Sequence, residues 1–502
     1  MQGLPLRRLR RILVGYLVAV AVLLHVFAIG GAVFVGLRYG FGAAGRKAVL
    51  VAEQSVPHRA RFVRRLVAMV GIEVPGRTAD DGIQFPSLSD WPGRGAFPGA
   101  PSALRSEDEA TSRLVEVATV DDLQRALEAA RPGDRITLLP GRYGIEGRSV
   151  PVHAHGLPSS PIVVRARRLG DVVIELDTLE GFLVLGSHWI FENLEVHGVC
   201  DAHDDCEHAF HIVGGGQGTR IHNCVLRDFN AAIKGNGTEV DGRRQFPDGV
   251  LIEGNSIYNT TVRNTENPVT PIDVVGADDW VVRGNLIADF AKGRGDRISY
   301  AAFLKGHSAR GVFERNLVVC EMHVIDPGAV RVGLSLGGGG SVGASTCRDG
   351  TCSPEHEEGT LRNNVVLHCN DAGIYLNRSA GTTVLHNTLY DTLGIDVDFP
   401  ESQALVANNL LTGAIRERRG GESEPSHNLA VAPEEFTRWF SDPDVADLRI
   451  EDGSRIVDRG DPRGRVPDDF CGVQRSDAPD IGAIEYSAGG GCDPRDRNVE
   501  AP

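Results

Sequence analysis

IEGNSIY (Ile252–Tyr258), VRGNLIA (Val282–Ala288) and FERNLVV (Phe313–Val319) are variants of one pattern: a short apolar strand, an asparagine, then a second short apolar strand. The pattern recurs at IFENLEV, IHNCVL, LRNNVVL, LHNTLY and VANNLL, so that Asn193, Asn223, Asn255, Asn285, Asn316, Asn364, Asn387 and Asn409 mark successive copies. Their spacings of 30, 32, 30, 31, 48, 23 and 22 residues imply a minimum period a little over twenty, with the excess in loops. Asparagine tolerates the left-handed backbone conformation, and its amide can bond to the next copy. Stacked copies therefore predict an asparagine ladder at a tight turn and a solenoid of β-coils. Propeller blades need about forty residues each, which this period does not allow.

The remainder of the chain frames that solenoid. With 41% hydrophobic residues, 61 glycines and 6% aromatics among 502 residues, many short strands packed on Val, Ile and Leu are expected. Before the repeats, VEVATVDDLQRALEAARPGDRITLLPGRY predicts a helix capped by Thr119 and Asp122, with Leu123 and Leu127 on its apolar stripe. Pro132-Gly133 stops it ahead of a strand at Ile136–Leu139. This helix would cover the open end of the solenoid, and only strands are expected after it.

Nearer the start, Ile12–Leu37 is apolar and uncharged and follows Arg7, Arg8, Arg10 and Arg11. That length and flank predict an uncleaved transmembrane signal anchor, with cleavage near Ala43-Ala44 as the alternative. The expected order is a basic cytoplasmic tail over 1–11, the membrane helix over 12–37, and a juxtamembrane and Pro/Gly-rich linker over 38–112. The β-helix body then covers 113–487 and a tail covers 488–502. This topology puts the protein in the inner or plasma membrane, single-pass, with its body periplasmic or extracellular.

Nine cysteines agree with an oxidising compartment. Cys200 with Cys206 and Cys347 with Cys352 are spaced as loop staples, and Cys471 with Cys492 as a C-terminal clamp. Cys224, Cys320 and Cys369 read as buried thiols. The first 70 residues hold 11 of the 52 basic side chains and one of the 67 acidic ones, which leaves the body strongly acidic and excludes nucleic acid as its partner.

Between the asparagine turns lies a further strand per coil: AFHIVGG, AAIKGNG, PIDVVGA, AAFLKGH, AVRVGLS and AGIYLNR. If the apolar positions face inward, alternation sends His211, Lys234, Asp273, Lys305, Arg331 and Tyr375 outward. Stacked at about 4.8 Å, six such residues make a polar column about 24 Å long, the reach of several sugar units. The insertions 237–247, 260–270, 292–299 and 337–359 adjoin this strand set, as loops walling a groove would. His208 and His211, three apart on a strand, are expected on opposite faces, which argues against a shared metal site.

VDDLQRALEAARPGDRITLLPGRY, the asparagine turns and the closing GSRIVDRGDP with DIGAIEY resemble the right-handed parallel β-helix proteins of the pectate-lyase-like superfamily. The opening is most similar to polysaccharide lyase family 6, which includes chondroitinase B and alginate lyases. The resemblance spans about Val115–Tyr486. It implies an all-β, right-handed parallel β-helix and an acidic polysaccharide as partner, cleaved by β-elimination with lysine on one coil as base and arginine on the next as acid. Lys305 in FLKG and Arg331 in VRVG occupy those places, although glycine and valine replace the serine and histidine of the family sequences. Lys234 is the rival base, with Arg263 its partner. His211, Asp273, Tyr375 and Arg263 are the expected substrate contacts. No cofactor is demanded by the residues; calcium is the ion the resemblance implies, yet ISYAAFLK lacks the paired glutamates that would hold it. The competing readings are a non-catalytic glycan-binding or cell-envelope scaffold, a glycoside hydrolase, for which paired carboxylates are missing, and a uronate epimerase.

Overall fold

A computed structural model describes residues 83–85, 87, 95–96, 113–340, 346–464 and 466–486. Among these, no helix is long and apolar enough to cross a membrane. The run 12–37, the segment around it, Cys492 and the tail 488–502 lie outside the described residues.

The strands build three parallel sheets of ten, twelve and eleven strands among the described residues. Each full coil contributes one strand to each sheet in turn, for example Glu180–Val184, Trp189–Glu192 and Glu195–Gly198, before the chain returns to the first sheet at His208–Val213. The result is a right-handed parallel β-helix with few helices. Its interior is a continuous apolar column in which Phe182, Phe191 and Phe210 stack, with ring centroids 4.9–5.3 Å apart. At the N-terminal end, helix α1 (Val120–Glu128) is capped by the Thr119 side chain and buries Leu123 and Leu127 in that core, as expected.

The twelve- and eleven-stranded sheets meet at a corner whose residues take φ between 49° and 64° in nine successive copies: Asn193, Asn223, Gly254, Gly284, Arg315, Asn363, His386, Asn408 and His427. The ladder occupies the next position along the chain. From Asn255 through Asn285, Asn316, Asn364, Asn387 and Asn409 to Asn428, each backbone N–H and side-chain N–H₂ donates to the Oδ1 of the asparagine one coil on, at 2.8–3.1 Å. Asn193 and Asn223 are therefore a different part of the turn from the six asparagines aligned with them in the sequence. They hold the left-handed residue itself, while Leu194 and Cys224 stand where the ladder would continue. The 32-residue step between Asn223 and Asn255 contains this one-residue slip.

Two further expectations need correction. Cys320 and Cys369 are not thiols but a disulfide. Val319 and Leu367 are paired across adjacent coils; Cys320 follows the first directly, while Cys369 follows the second after His368, whose backbone is left-handed, and the two Cα atoms lie 5.0 Å apart, a separation that suits a disulfide. The other staples, Cys200–Cys206 and Cys347–Cys352, are present. Cys471 is disulfide-bonded, and Cys224 is a buried free thiol. The chain after the last coil is also not strands alone. Helix α2 (Pro433–Trp439) and the turns after it lay Phe436, Trp439, Phe470, Ile481 and Ile484 over the outer face of the eleven-stranded sheet, against Leu317, Val319, Val365 and Leu367. Phe85, from the segment read as linker, joins this second core. That sheet is apolar on both faces because both are covered.

Replacing Asn316 by alanine takes the Oδ1 acceptor away from the buried backbone N–H and side-chain N–H₂ of Asn285 and removes the bond to the Val282 carbonyl. The unfolding free energy should fall by about 1–3 kcal/mol, read from urea denaturation, with the β-sheet circular dichroism retained. Burial lowers the pKa of His356 from its ordinary 6.5 to about 3. The ring accepts or shares bonds with Ser308 Oγ at 2.7 Å and Gly311 N at 3.3 Å. The unfolded chain therefore binds a proton that the folded one refuses between those two pH values, and stability should decline as pH falls through that window. His356→Gln should flatten that part of the acid denaturation profile.

Candidate functional site

Register, and not alternation alone, decides which side chains share a line on the ten-stranded sheet. His211 pairs with Lys234, Lys234 with Asp273, Asp273 with Phe303, Phe303 with Ser335, Ser335 with Tyr375, Tyr375 with Asp396 and Asp396 with Arg416. Lys305 belongs to a second line two residues along, where it pairs with Val275, itself paired with Asn236. Four of the six expected column residues thus share one line, and Lys305 lies beside them on the same outward face.

The first half of this face is a compact group of charges. Lys234 Nζ lies 2.8 Å from Asp273 Oδ1. One coil on, Lys305 runs its stem past Gly338, holds its ammonium 4.2 Å from the centroid of the Phe303 ring, and donates to the Gly339 carbonyl at 3.2 Å. Desolvation by these neighbours lowers the Lys305 pKa, and Lys234 adds to the effect, while Asp273 and Glu355 oppose it. Removal of water from an ammonium favours its neutral form, the form that takes a proton. Gly235, beside Lys234, has no room for a side chain, since a Cβ there would meet the Trp280 ring at 2.5 Å. Indole and glycine together hold the strand that aims Lys234.

In the second half the charges are closed on one another. The Tyr375 hydroxyl donates to Asp398 Oδ2 at 3.1 Å and receives Asn377 Nδ2 at 3.1 Å. Arg419 clasps Asp398, and Arg418 lies 2.6 Å from Asp396.

Sequence alternation misplaces His208. Ala209 and Phe210 are both buried, and their two N–H groups share the Ala232 carbonyl. This local irregularity leaves His208 and His211 on the same side, with ring centroids 5.1 Å apart. Burial lowers the His208 pKa to about 4. Glu180, paired with His208 across the coils, sends Oε1 to within 2.8 Å of His211 Nδ1, and that bond lowers the Glu180 pKa. The signal available in the sequence was the paired apolar Ala-Phe between the two histidines, which breaks strict alternation.

Loops wall the face on both edges. On one edge the hairpin Thr238–Val240 with Arg243–Gln245 is tied to the disulfide loop: Arg244 donates to the Cys347 carbonyl at 2.7 Å, and Arg348 donates to both Asp248 oxygens at 2.9 and 2.6 Å. On the other, Lys292 pairs with Asp296 and Arg297 with Asp326.

Two expected residues are elsewhere. Arg331 aligns with Ser299, four residues upstream of the column position held by Ser335. Its guanidinium is enclosed with Glu321 at 2.6 Å, the two side chains 0% and 1% exposed. Such a pair cannot reach a leaving oxygen in the groove, so Arg331 is not the partner of Lys305. Arg263 is also buried. It donates to Asn230 Oδ1 at 2.9 Å and to the carbonyls of His203 and Cys206 at 3.3 and 3.4 Å, which pins the first disulfide loop. Asp204 of that loop is engaged by Arg294 and Thr265.

Residues 180–414 match the family model for a right handed beta helix region. Pectate lyase L of Dickeya chrysanthemi is 26% identical over 194 residues, 32% of this chain and 45% of that protein, so the chain spans less than half the length of this curated relative. The crystal structure of pectate lyase Pel9A superposes with a TM-score of 0.55 at 16% identity, over 75% of this chain and 97% of that one. The PL6 family alginate lyase AlyGC aligns with a TM-score of 0.37 at 12% identity, over 60% of this chain and 44% of that one. The chain is a right-handed parallel β-helix similar to polysaccharide lyases.

Arg331→Ala removes the cation that is paired with the buried Glu321. It should lower the unfolding free energy by about 3–5 kcal/mol, seen as a large drop in thermal midpoint, where a residue of the open groove would leave the midpoint unchanged.

Proposed function

We propose that the protein is a polysaccharide lyase that cleaves uronate-containing glycans by β-elimination, with Lys305 as the base. The observation that carries this reading is the half-buried Lys305 with a lowered pKa, beside the Lys234–Asp273 pair, on an outward face walled by loops at both edges. Lys305 Nζ takes the proton from C5 of the uronate. The electron pair forms the C4–C5 double bond as the C4–O bond breaks, and the Lys305 ammonium returns its proton to the departing oxygen. Lys234, held by Asp273, supplies positive charge to the carboxylate as it gains dianion character. His211 and Tyr375 stand about 24 Å apart along the stacked coils, a span that suits an extended acidic chain. The arginine-flanked apolar run 12–37 supports anchoring in the inner or plasma membrane with the β-helix outside the cytoplasm, and the disulfides agree with that compartment.

A second reading, a non-catalytic glycan-binding scaffold, draws on the self-neutralised charges around Tyr375, Asp396 and Asp398. Incubation with pectate, alginate and glycosaminoglycans, followed by the absorbance of unsaturated uronate, separates the two. A lyase gives a rising signal, and Lys305→Ala lowers kcat by about 10²–10⁴-fold with the thermal midpoint unchanged; binding without any signal supports the scaffold. Since the neutral amine does the work, kcat/KM should rise with pH, with a midpoint below the 10.5 of an ordinary lysine. Lys305→Arg should remove that limb.

A further inference from the structure

We propose that Glu180, His208 and His211 form a binding site for a divalent transition-metal ion, zinc by the chemistry of the donors, with an open coordination position toward the groove. Among the described residues these three offer ligand atoms that all lie within 4.8 Å of one another. Two imidazoles and one carboxylate are a donor set suited to zinc, with a further position left for water or an anionic ligand.

The hydrogen bonds outside the cluster assign the tautomers. His208 Nδ1 lies 2.8 Å from the Ala231 carbonyl, which can only accept, so the proton sits on Nδ1 and the Nε2 lone pair is free. Asn236 spends its N–H₂ on the Gly237 carbonyl at 2.9 Å and turns Oδ1 to His211 Nε2 at 2.6 Å, so His211 carries its proton on Nε2. The remaining nitrogen, His211 Nδ1, then points a lone pair at Glu180 Oε1, 2.8 Å away. Acceptor facing acceptor at that distance requires a cation between or upon them: a second proton, making an imidazolium, or a metal. Carbonyl and amide partners on the outer nitrogens are the arrangement that orients metal-bound histidines.

Backbone geometry builds the cluster. The Ala209–Phe210 irregularity brings both rings to one side, and Glu180 is the register partner of His208 from the preceding coil. Reaching the spacing of a tetrahedral zinc site closes the widest donor separation by about 1–1.5 Å and opens the 2.8 Å Glu180–His211 pair by about 0.5 Å. The Glu180 side chain, 27% exposed, has the rotamer freedom to make both changes. Oxygen-rich calcium chemistry does not suit two imidazoles, so this site differs in kind from the calcium implied by the family resemblance. It stands independently of whether Lys305 acts as a base.

The full chain is stripped with a chelator, dialysed into metal-free buffer and titrated calorimetrically with zinc chloride, with cobalt(II) as an absorbing substitute. One equivalent of zinc per chain is expected, unaffected by millimolar calcium. Glu180→Gln, which preserves shape, and His208→Ala should abolish stoichiometric uptake, and Asn236→Ala should weaken it by about 10–100-fold. His153→Ala, an exposed histidine elsewhere, should bind as wild type. No uptake by the wild-type chain overturns the proposal. Unchanged uptake by both Glu180→Gln and His208→Ala, with folding verified by circular dichroism, overturns it equally.

Discussion

The parallel stacking of coils at a single register is the constraint on which the rest of this molecule depends. Neighbouring strands lie about 4.8 Å apart, so whatever occupies a position in one coil is set against its counterpart in the next. At the corner this brings asparagine onto asparagine, each Oδ1 accepting two bonds from the preceding coil. The ladder satisfies amides with no access to water, and those amides keep the left-handed residue before them in a conformation that non-glycine residues adopt at a cost. Inside, the same stacking places Phe182 on Phe210 with an interplanar angle of 14°.

On the open sheet, stacking turns into electrostatics. Opposite charges attract across neighbouring coils, and they meet at Glu180 against the histidines, Lys234 against Asp273 and Asp396 against Arg416. Lys305 escapes neutralisation because it sits two residues off the Asp273 line, under Gly339 and against Phe303. Its dryness comes from an insertion, whereas its position comes from the coil. The two wall loops on that edge depend on each other as well, since Arg348 crosses from one to Asp248 at the base of the other.

The outer face of the eleven-stranded sheet shows the same economy from another direction. Continuous apolar runs such as NLVV and NVVL read as strands buried on both sides, and the cover comes from α2 and the closing turns, with Phe436 and Phe470 fully enclosed. The long insertions lie instead along the ten-stranded sheet, whose outward residues are polar.

The sequence by itself determined the coil, its corner, the capping helix and the outward direction of His211, Lys234, Asp273, Lys305 and Tyr375, because asparagine turns and two-residue alternation are local properties written along the chain. Only the tertiary structure decided what those residues meet. Arg331 alternates as an outward residue should, yet four residues of register carry it to a corner where Glu321 encloses it. His208 alternates inward and is turned outward by one shared carbonyl, while Cys320 and Cys369, 49 residues apart in the chain, become neighbours through stacking. Register, strand irregularities and cross-coil contacts arise between segments distant in sequence, and no local pattern of residues carries them.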